Sequence, residues 1–220
     1  MYTPPAFKTD RAASLAFAEA RGFGTMCAFD GKKPIASQLP FYLTYAADGT
    51  PRAAFHVARG NPLAKLADGT TSWLLAVNGA DAYVSADWYV SADQVPTWLY
   101  RSVHLTGTVR MLSDDELAAQ VDVLSAKFEA WLAPKKPWTS TKVSPARLEM
   151  LKKAIVGFEM IVEEVEGSFK LNQQKSEVDF AAVADALSAQ SDAGSREIAG
   201  LMREIRPQAF AATVLEGQKP

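Results

Sequence analysis

The chain has 220 residues, 48% of them apolar and 22% charged. That is enough for a real core without staples, as one large domain or a domain with an appendage. A net charge of −2 and a pI near 5.8 exclude a global electrostatic pull toward nucleic acid, so any such contact needs a local basic patch.

In chain order, the opening "MYTPPAFKTD" lacks a basic and an apolar leader region, and no apolar run reaches the length of a membrane span. A cytoplasmic protein is expected. Residues 9–21, "TDRAASLAFAEAR", predict a helix with Thr9 or Asp10 as cap and Gly22 just past its end. Strand signals follow. "GTMCAF" and "KPIASQLPFYLTY" flank an Asp30-Gly31 turn, and Asp48-Gly49 leads into "PRAAFHVA". The single cysteine, Cys27, lies in the first of these runs and reads as a buried structural thiol. It excludes an internal disulfide, and no Cys/His cluster suits zinc, so no metal is expected.

"RGNPLAKLADG" predicts a short helical turn with Asn61 at its cap and Pro62 first. "SWLLAVNGADAYVS" reads as strand, turn at Asn78-Gly79, and strand; "SVHLTGTVRML" is another β run, with Ser102, His104 and Thr106 on one face. Residues 113–132 give the clearest helix. Ser113 and Glu116 form a capping box, and Leu117, Val121, Leu124, Phe128 and Trp131 make one stripe. Ser144-Pro145 opens a further helix, and "VGFEMIVEEVEGSFKL" returns to β with a turn at Glu166-Gly167. Two helices, from Asp179 and after the "SDAGS" break, complete the chain. Six or seven hairpin-linked strands predict an antiparallel sheet, fully or partly closed into a barrel.

Two segments carry candidate chemistry. In "HVARGNPLAKL", Arg59 precedes a helix start whose unpaired N–H groups could join it around a phosphate, with Lys65 adding charge. A surface arginine beside a simple cap is the competing reading. In "YVSADWYVSADQVPTWLY", the rings of Tyr83, Trp88, Trp98 and Tyr100 with the hydroxyls of Ser85 and Thr97 suit a flat ligand. The same aromatics would equally serve as core. His56 and His104, the only histidines, read as structural, and no acyl-transfer triad or nucleotide fingerprint is present. Hard chemistry would therefore fall to a cofactor. Arg196, Arg203 and Arg206 near one face of the last helix invite comparison with a DNA reader. With Glu197 and Glu204 interleaved, an amphipathic cap is the better reading.

The ordered motifs "MYTPPAF", "ASQLPFYL", "HVARGNP", "AYVSADWY", "VPTWLYRSVHLTG", "IVGFEMIVEEVEGSFKLNQQ" and "LMREIRP" together resemble the PaiB family, the FMN-binding negative transcriptional regulators. The resemblance implies a mainly β, α+β fold: an antiparallel FMN-binding split β-barrel over 1–178 with a helical extension over 179–220 packed on the barrel or a partner. It implies a homodimer with FMN at the subunit interface. Arg59, Asn61 and Lys65 are then candidates at the phosphate, and Ser37, Gln38, His56 and Ala58 are further cofactor-binding candidates. Tyr83, Ser85, Trp88, Thr97, Trp98 and Tyr100 are candidates around the ring, and Lys170 and Gln173 could reach the cofactor, even from the partner. The chain departs from the family pattern at Gln38, Ala86, Asp87, Leu99, Asn172 and Gln174. Two other readings stay open: an FMN-dependent oxidoreductase, like pyridoxamine-phosphate oxidases or flavin reductases, with His104 or Tyr89 donating a proton, and a degenerate barrel with another cofactor or none. DNA is an open partner that the net charge does not favour.

Overall fold

The computed structural model describes residues 1–210, so residues 211–220 of the expected helical extension lie outside it. Seven strands, β1 (Lys8–Thr9), β2 (Phe23–Phe29), β3 (Pro34–Tyr45), β4 (Pro51–Ala58), β5 (Ser72–Val84), β6 (Thr97–Met111) and β7 (Ile155–Lys170), form one sheet. Five helices accompany them: α1 (Arg11–Arg21), α2 (Asp114–Ala130), α3 (Pro145–Lys153), α4 (Glu177–Ser188) and α5 (Ala193–Ile205). The strand order is β1-β7-β4-β3-β2-β5-β6, and a further pairing of β6 with β7 closes six of the strands into a ring. The β1–β7, β2–β3, β2–β5, β3–β4 and β4–β7 pairs are antiparallel. Closure removes the exposed edges that an open sheet of this size would leave.

The chain divides into two compact units, with boundaries inside β5, β6 and β7. One unit comprises Ala12–Val77 and His104–Val165 and holds the barrel ring. Alternate residues along its strands point inward. Met26, Phe41, Phe55, Trp73, Leu75, Leu105, Phe158 and Met160 are buried, with Phe55 stacked on Phe158 at 5.5 Å. The Asp30 carboxylate accepts N–H bonds from Lys32 and Lys33 while Gly31 takes φ +87°, which explains why Asp-Gly turns the β2–β3 hairpin. Gly107 is required for a different reason. A Cβ there would lie 1.8 Å from the Ile161 carbonyl oxygen, so only glycine lets β6 approach β7 this closely. α2 opens with the expected reciprocal capping box of Ser113 and Glu116. Its buried stripe is Leu117, Gln120 and Leu124; Trp131, expected on that stripe, is exposed because the helix stops at Ala130 and leaves the barrel surface. Cys27 is half-buried rather than buried, since it falls on the alternate row of β2.

The other unit comprises Met1–Arg11, Asn78–Val103 and the chain from Glu166. Its core joins Ala82, Val84, Tyr89 and Leu99 to Phe180, Val183, Leu187, Ile198 and Met202 of the α4–α5 pair. Here two expected turns are corrected. Asn78-Gly79 and Glu166-Gly167 lie inside the continuous strands β5 and β7, and neither glycine has positive φ. A turn needs its two flanking segments to pair with each other, whereas Gly167 pairs with Thr9 of β1 and the Asn78 side chain accepts a bond from Ser102.

Candidate functional site

The candidates from Ser37 to Lys65 all belong to the barrel unit. Where β4 ends, Asn61 caps the short Pro62–Lys65 3-10 turn: its Oδ1 accepts the Leu63 N–H at 3.0 Å, and its Nδ2 donates to Ser37 Oγ at 2.9 Å. The sequence sees only a cap. The fold makes Asn61 a tie between the turn and β3, with buried Leu63 as the anchor below. Unpaired N–H groups expected at this turn are not found at Leu63 or Ala64, whose amides go to the Asn61 side chain and carbonyl. Attraction for an anion must then come from side chains. Lys65 is exposed at the end of the turn.

Arg59 is held in a defined pose. Its Nε donates to the Lys153 carbonyl at 2.7 Å and its Nη2 to that of Ile155 at 2.9 Å, while its own N–H binds the Ala154 carbonyl. The guanidinium thereby neutralises the carbonyl end of α3, where a cation is favoured. Nη1 has no hydrogen-bond partner among the described residues, and the side chain is exposed. Ala58 is exposed at the strand end, and Gln38 is exposed on the face of β3 opposite Ser37. His56 is half-buried on β4 opposite Gly157. Burial pushes its imidazole below the ordinary histidine pKa, and Nδ1 is buried without a partner among the described residues.

The ring-side candidates belong to the other unit. Tyr83 of β5 and Trp98 of β6 meet edge to face at 5.8 Å, yet they remain 47% and 54% exposed. Together with Trp88, Asp81, Gln190, Asp192 and Ser195 they line a cavity of about 440 Å³, within the usual range for small-molecule sites. Ser85 is spent on capping the 3-10 turn at Ala86–Trp88, accepting the Asp87 N–H. Tyr100 lines a neighbouring cavity of about 300 Å³ with Asn78, Arg101 and Ser102. Lys170 donates to Thr97 Oγ1 at 2.5 Å and lies over the Phe7 ring, and burial lowers its pKa. Gln173 is fully committed: it donates to the carbonyls of Ala6 and Phe169 and accepts the Leu171 N–H. Its role is to hold the segment that carries Lys170.

Two further residues shape this unit without an obvious sequence signal. Asn172, at φ +59° and fully buried, is hydrogen-bonded to the Tyr89 hydroxyl. The Asp179 carboxylate accepts bonds from the Ser91 hydroxyl and the N–H groups of Val90 and Ser91, which hold its pKa at about 2. The second Tyr-Val-Ser-Ala-Asp is thus an anchor onto α4. In the barrel unit, buried Gln120 of α2 donates to the carbonyls of Phe55 and Phe158.

In the barrel unit, the orphaned Nδ1 of His56 and the uncommitted Nη1 of Arg59 are groups that the polar end of a flavin mononucleotide would satisfy. In the other unit, taken by itself, the exposed Tyr83–Trp98 pair offers an aromatic face of the kind a flavin ring needs. The closed antiparallel barrel is a split barrel of the flavin-binding type. The fold matches the FAD and heme binding protein of Mycobacterium smegmatis with a TM-score of 0.53 at 18% identity, covering 74% of this chain and 72% of that one. It matches a conserved hypothetical protein of Mycobacterium tuberculosis equally, TM-score 0.53 at 10% identity over 77% and 90% of the two chains. Residues 1–164 match the family described as "Putative FMN-binding domain", and the chain belongs to that family. It is 34% identical to the protease synthase and sporulation protein PAI 2 of Bacillus subtilis, over 93% of this chain and 97% of that protein. An uncharacterized protein of Emericella nidulans is 26% identical over 68% of this chain and 71% of its own. FMN, or a related flavin, is the cofactor this membership assigns.

Proposed function

We propose that the protein is an FMN-binding regulator of the PaiB type, acting as a homodimer in the cytoplasm, with a barrel portion to residue 178 and a helical extension from 179. The match of residues 1–164 to the FMN-binding family carries this reading, because it spans both the Arg59 turn and the aromatic segment 83–100. The name of the Bacillus subtilis relative ties that protein to protease synthesis and sporulation, and a regulatory role here rests on that relationship. FMN, when bound, supplies a redox-active ring. The chain's own part is to hold it: Arg59 and Lys65 meet the phosphate, with Ser37 and Asn61 fixing the turn that presents them. Tyr83, Trp88, Trp98 and Tyr100 offer faces for the ring, and Thr97 and Lys170 offer polar edges. The exposure of Tyr83 and Trp98 suits a surface that ligand and partner subunit cover together.

Arg59→Ala should weaken FMN binding by roughly 1.5–3 kcal/mol, the worth of a charged hydrogen bond, read by quenching of flavin fluorescence on titration. Arg59 also caps α3, so a thermal melt of the same variant separates lost binding from lost folding. A folded variant with unchanged affinity removes Arg59 from the phosphate site. Sedimentation over a range of concentrations tests the dimer.

A further inference from the structure

The segment 131–153 stands apart from the rest of the barrel unit. None of its residues is buried, although it contains Trp131, Leu132, Trp138, Leu148, Met150 and Leu151, and α3 within it buries nothing. Met150 is 59% exposed and Trp131 58%. Its charge is also of opposite sign to the chain. Lys135, Lys136, Lys142, Arg147, Lys152 and Lys153 face a single acid, Glu149, in a protein whose net charge is −2. Lys135 pairs with Glu129 and Lys152 with Glu149, while Lys136, Arg147 and Lys153 have no ion pair among the described residues. The loop is nonetheless held in shape. The Trp138 N–H donates to the Glu129 carboxylate at 2.7 Å, Val143 N–H to the Ser140 carbonyl, and the Thr139 and Thr141 hydroxyls bond each other.

The C-terminal helices offer no comparable surface. Arg196 donates to the Gln190 and Ser191 carbonyls, Arg203 pairs with Asp185, and Arg206 binds the Lys175 carbonyl while lying over Phe180. All three basic groups are spent holding α4 and α5 together.

We propose that 131–153 is a docking surface for double-stranded nucleic acid, with Lys136, Lys142, Arg147 and Lys153 on backbone phosphates and the Thr139–Thr141 hydroxyls as secondary donors. The choice of nucleic acid rests on the regulatory reading above. Charge complementarity favours it over the other occupants. A second copy docking face to face would oppose like charges across a two-fold axis. A membrane surface calls for apolar and basic side chains segregated on opposite faces of a helix, whereas α3 has the two kinds interleaved. Phosphate contacts from lysine and arginine with hydroxyls in support are the sequence-independent part of duplex binding.

The test is fluorescence anisotropy of a labelled mixed-sequence duplex with the full chain, at about 50 mM salt and upward. Binding should weaken steeply with salt, with a log–log slope of roughly −3 to −4 for four phosphate contacts. The triple charge reversal Lys136→Glu, Lys142→Glu, Arg147→Glu should lower affinity by on the order of tenfold or more, with its thermal melt and its FMN titration unchanged. If the triple variant binds duplex as wild type does, the surface is wrong while the regulatory reading stands. If the wild type binds no duplex, both fall. Tighter binding to anionic vesicles than to duplex, or dissociation of a dimer by the triple variant, would instead assign the surface to lipid or to a second copy and overturn the proposal.

Discussion

Single side chains in this protein are set by what surrounds them more than by their type. His56 shows this in its titration. Burial lowers its folded pKa below the 6.5 of the free side chain, so the unfolded chain takes up the proton first as pH falls. The stability it supports is full above about pH 6.5 and declines as pH drops below that value. Urea melts between pH 7.5 and 5 should show wild type losing stability relative to His56→Gln across that window; parallel curves would mean that His56 is not desolvated. Tyr89 makes a second case. Its hydroxyl is bonded to the side chain of fully buried Asn172, so Tyr89→Phe leaves that amide short of a partner and should cost about 1–3 kcal/mol in a denaturant melt. The one-atom change is informative because the ring's packing is retained. A neutral result would mean that Asn172 finds another partner.

Among the elements, β6 carries the closure, because its pairing with β7 completes the ring. Gly107 sits where a Cβ would run into the β7 backbone at Ile161. Gly107→Ala should therefore destabilise by about 3 kcal/mol or more, since the clash is with backbone that cannot rotate away. Equilibrium unfolding would show it, and a Tm within a degree or two of wild type would mean that the ring is looser than drawn. α2 illustrates the opposite balance. Its ends follow local rules, with the capping box at Ser113 and Glu116 formed as expected, while its middle answers to the barrel: Gln120 is buried because Phe55 and Phe158 each present a carbonyl to it. No periodicity argument would put a glutamine on the inner stripe.

At the scale of the whole molecule, a cofactor that binds only the folded chain adds RT ln(1 + [L]/Kd) to its stability, about 2.7 kcal/mol at a hundredfold excess over Kd. FMN should thus raise the Tm in a concentration-dependent way while riboflavin, lacking the phosphate, does so less. Equal shifts would locate the affinity in the ring alone and leave Arg59 and Lys65 without a part.

Much of this was legible in the sequence. The helices, the Asp-Gly hairpins, the Asn61-Pro62 turn and the capping box depend on residues within a turn or two of each other, and side-chain periodicity reports which face is buried. The order of motifs was enough to indicate the family and with it the barrel and the flavin. Other features depended on residues distant in sequence. Asn78-Gly79 and Glu166-Gly167 carry turn signals yet run straight, because their strand partners lie elsewhere in the chain. The second Tyr-Val-Ser-Ala-Asp carries no local signal of its role, which is fixed by Asp179, 88 residues beyond Ser91, accepting its amides. Arg59 read as a free cation until the α3 carbonyls claimed two of its donors. Sequence by itself determined the local conformations and the family; tertiary structure decided which polar groups were already satisfied, and a group's availability to a ligand is a property of its neighbours in space.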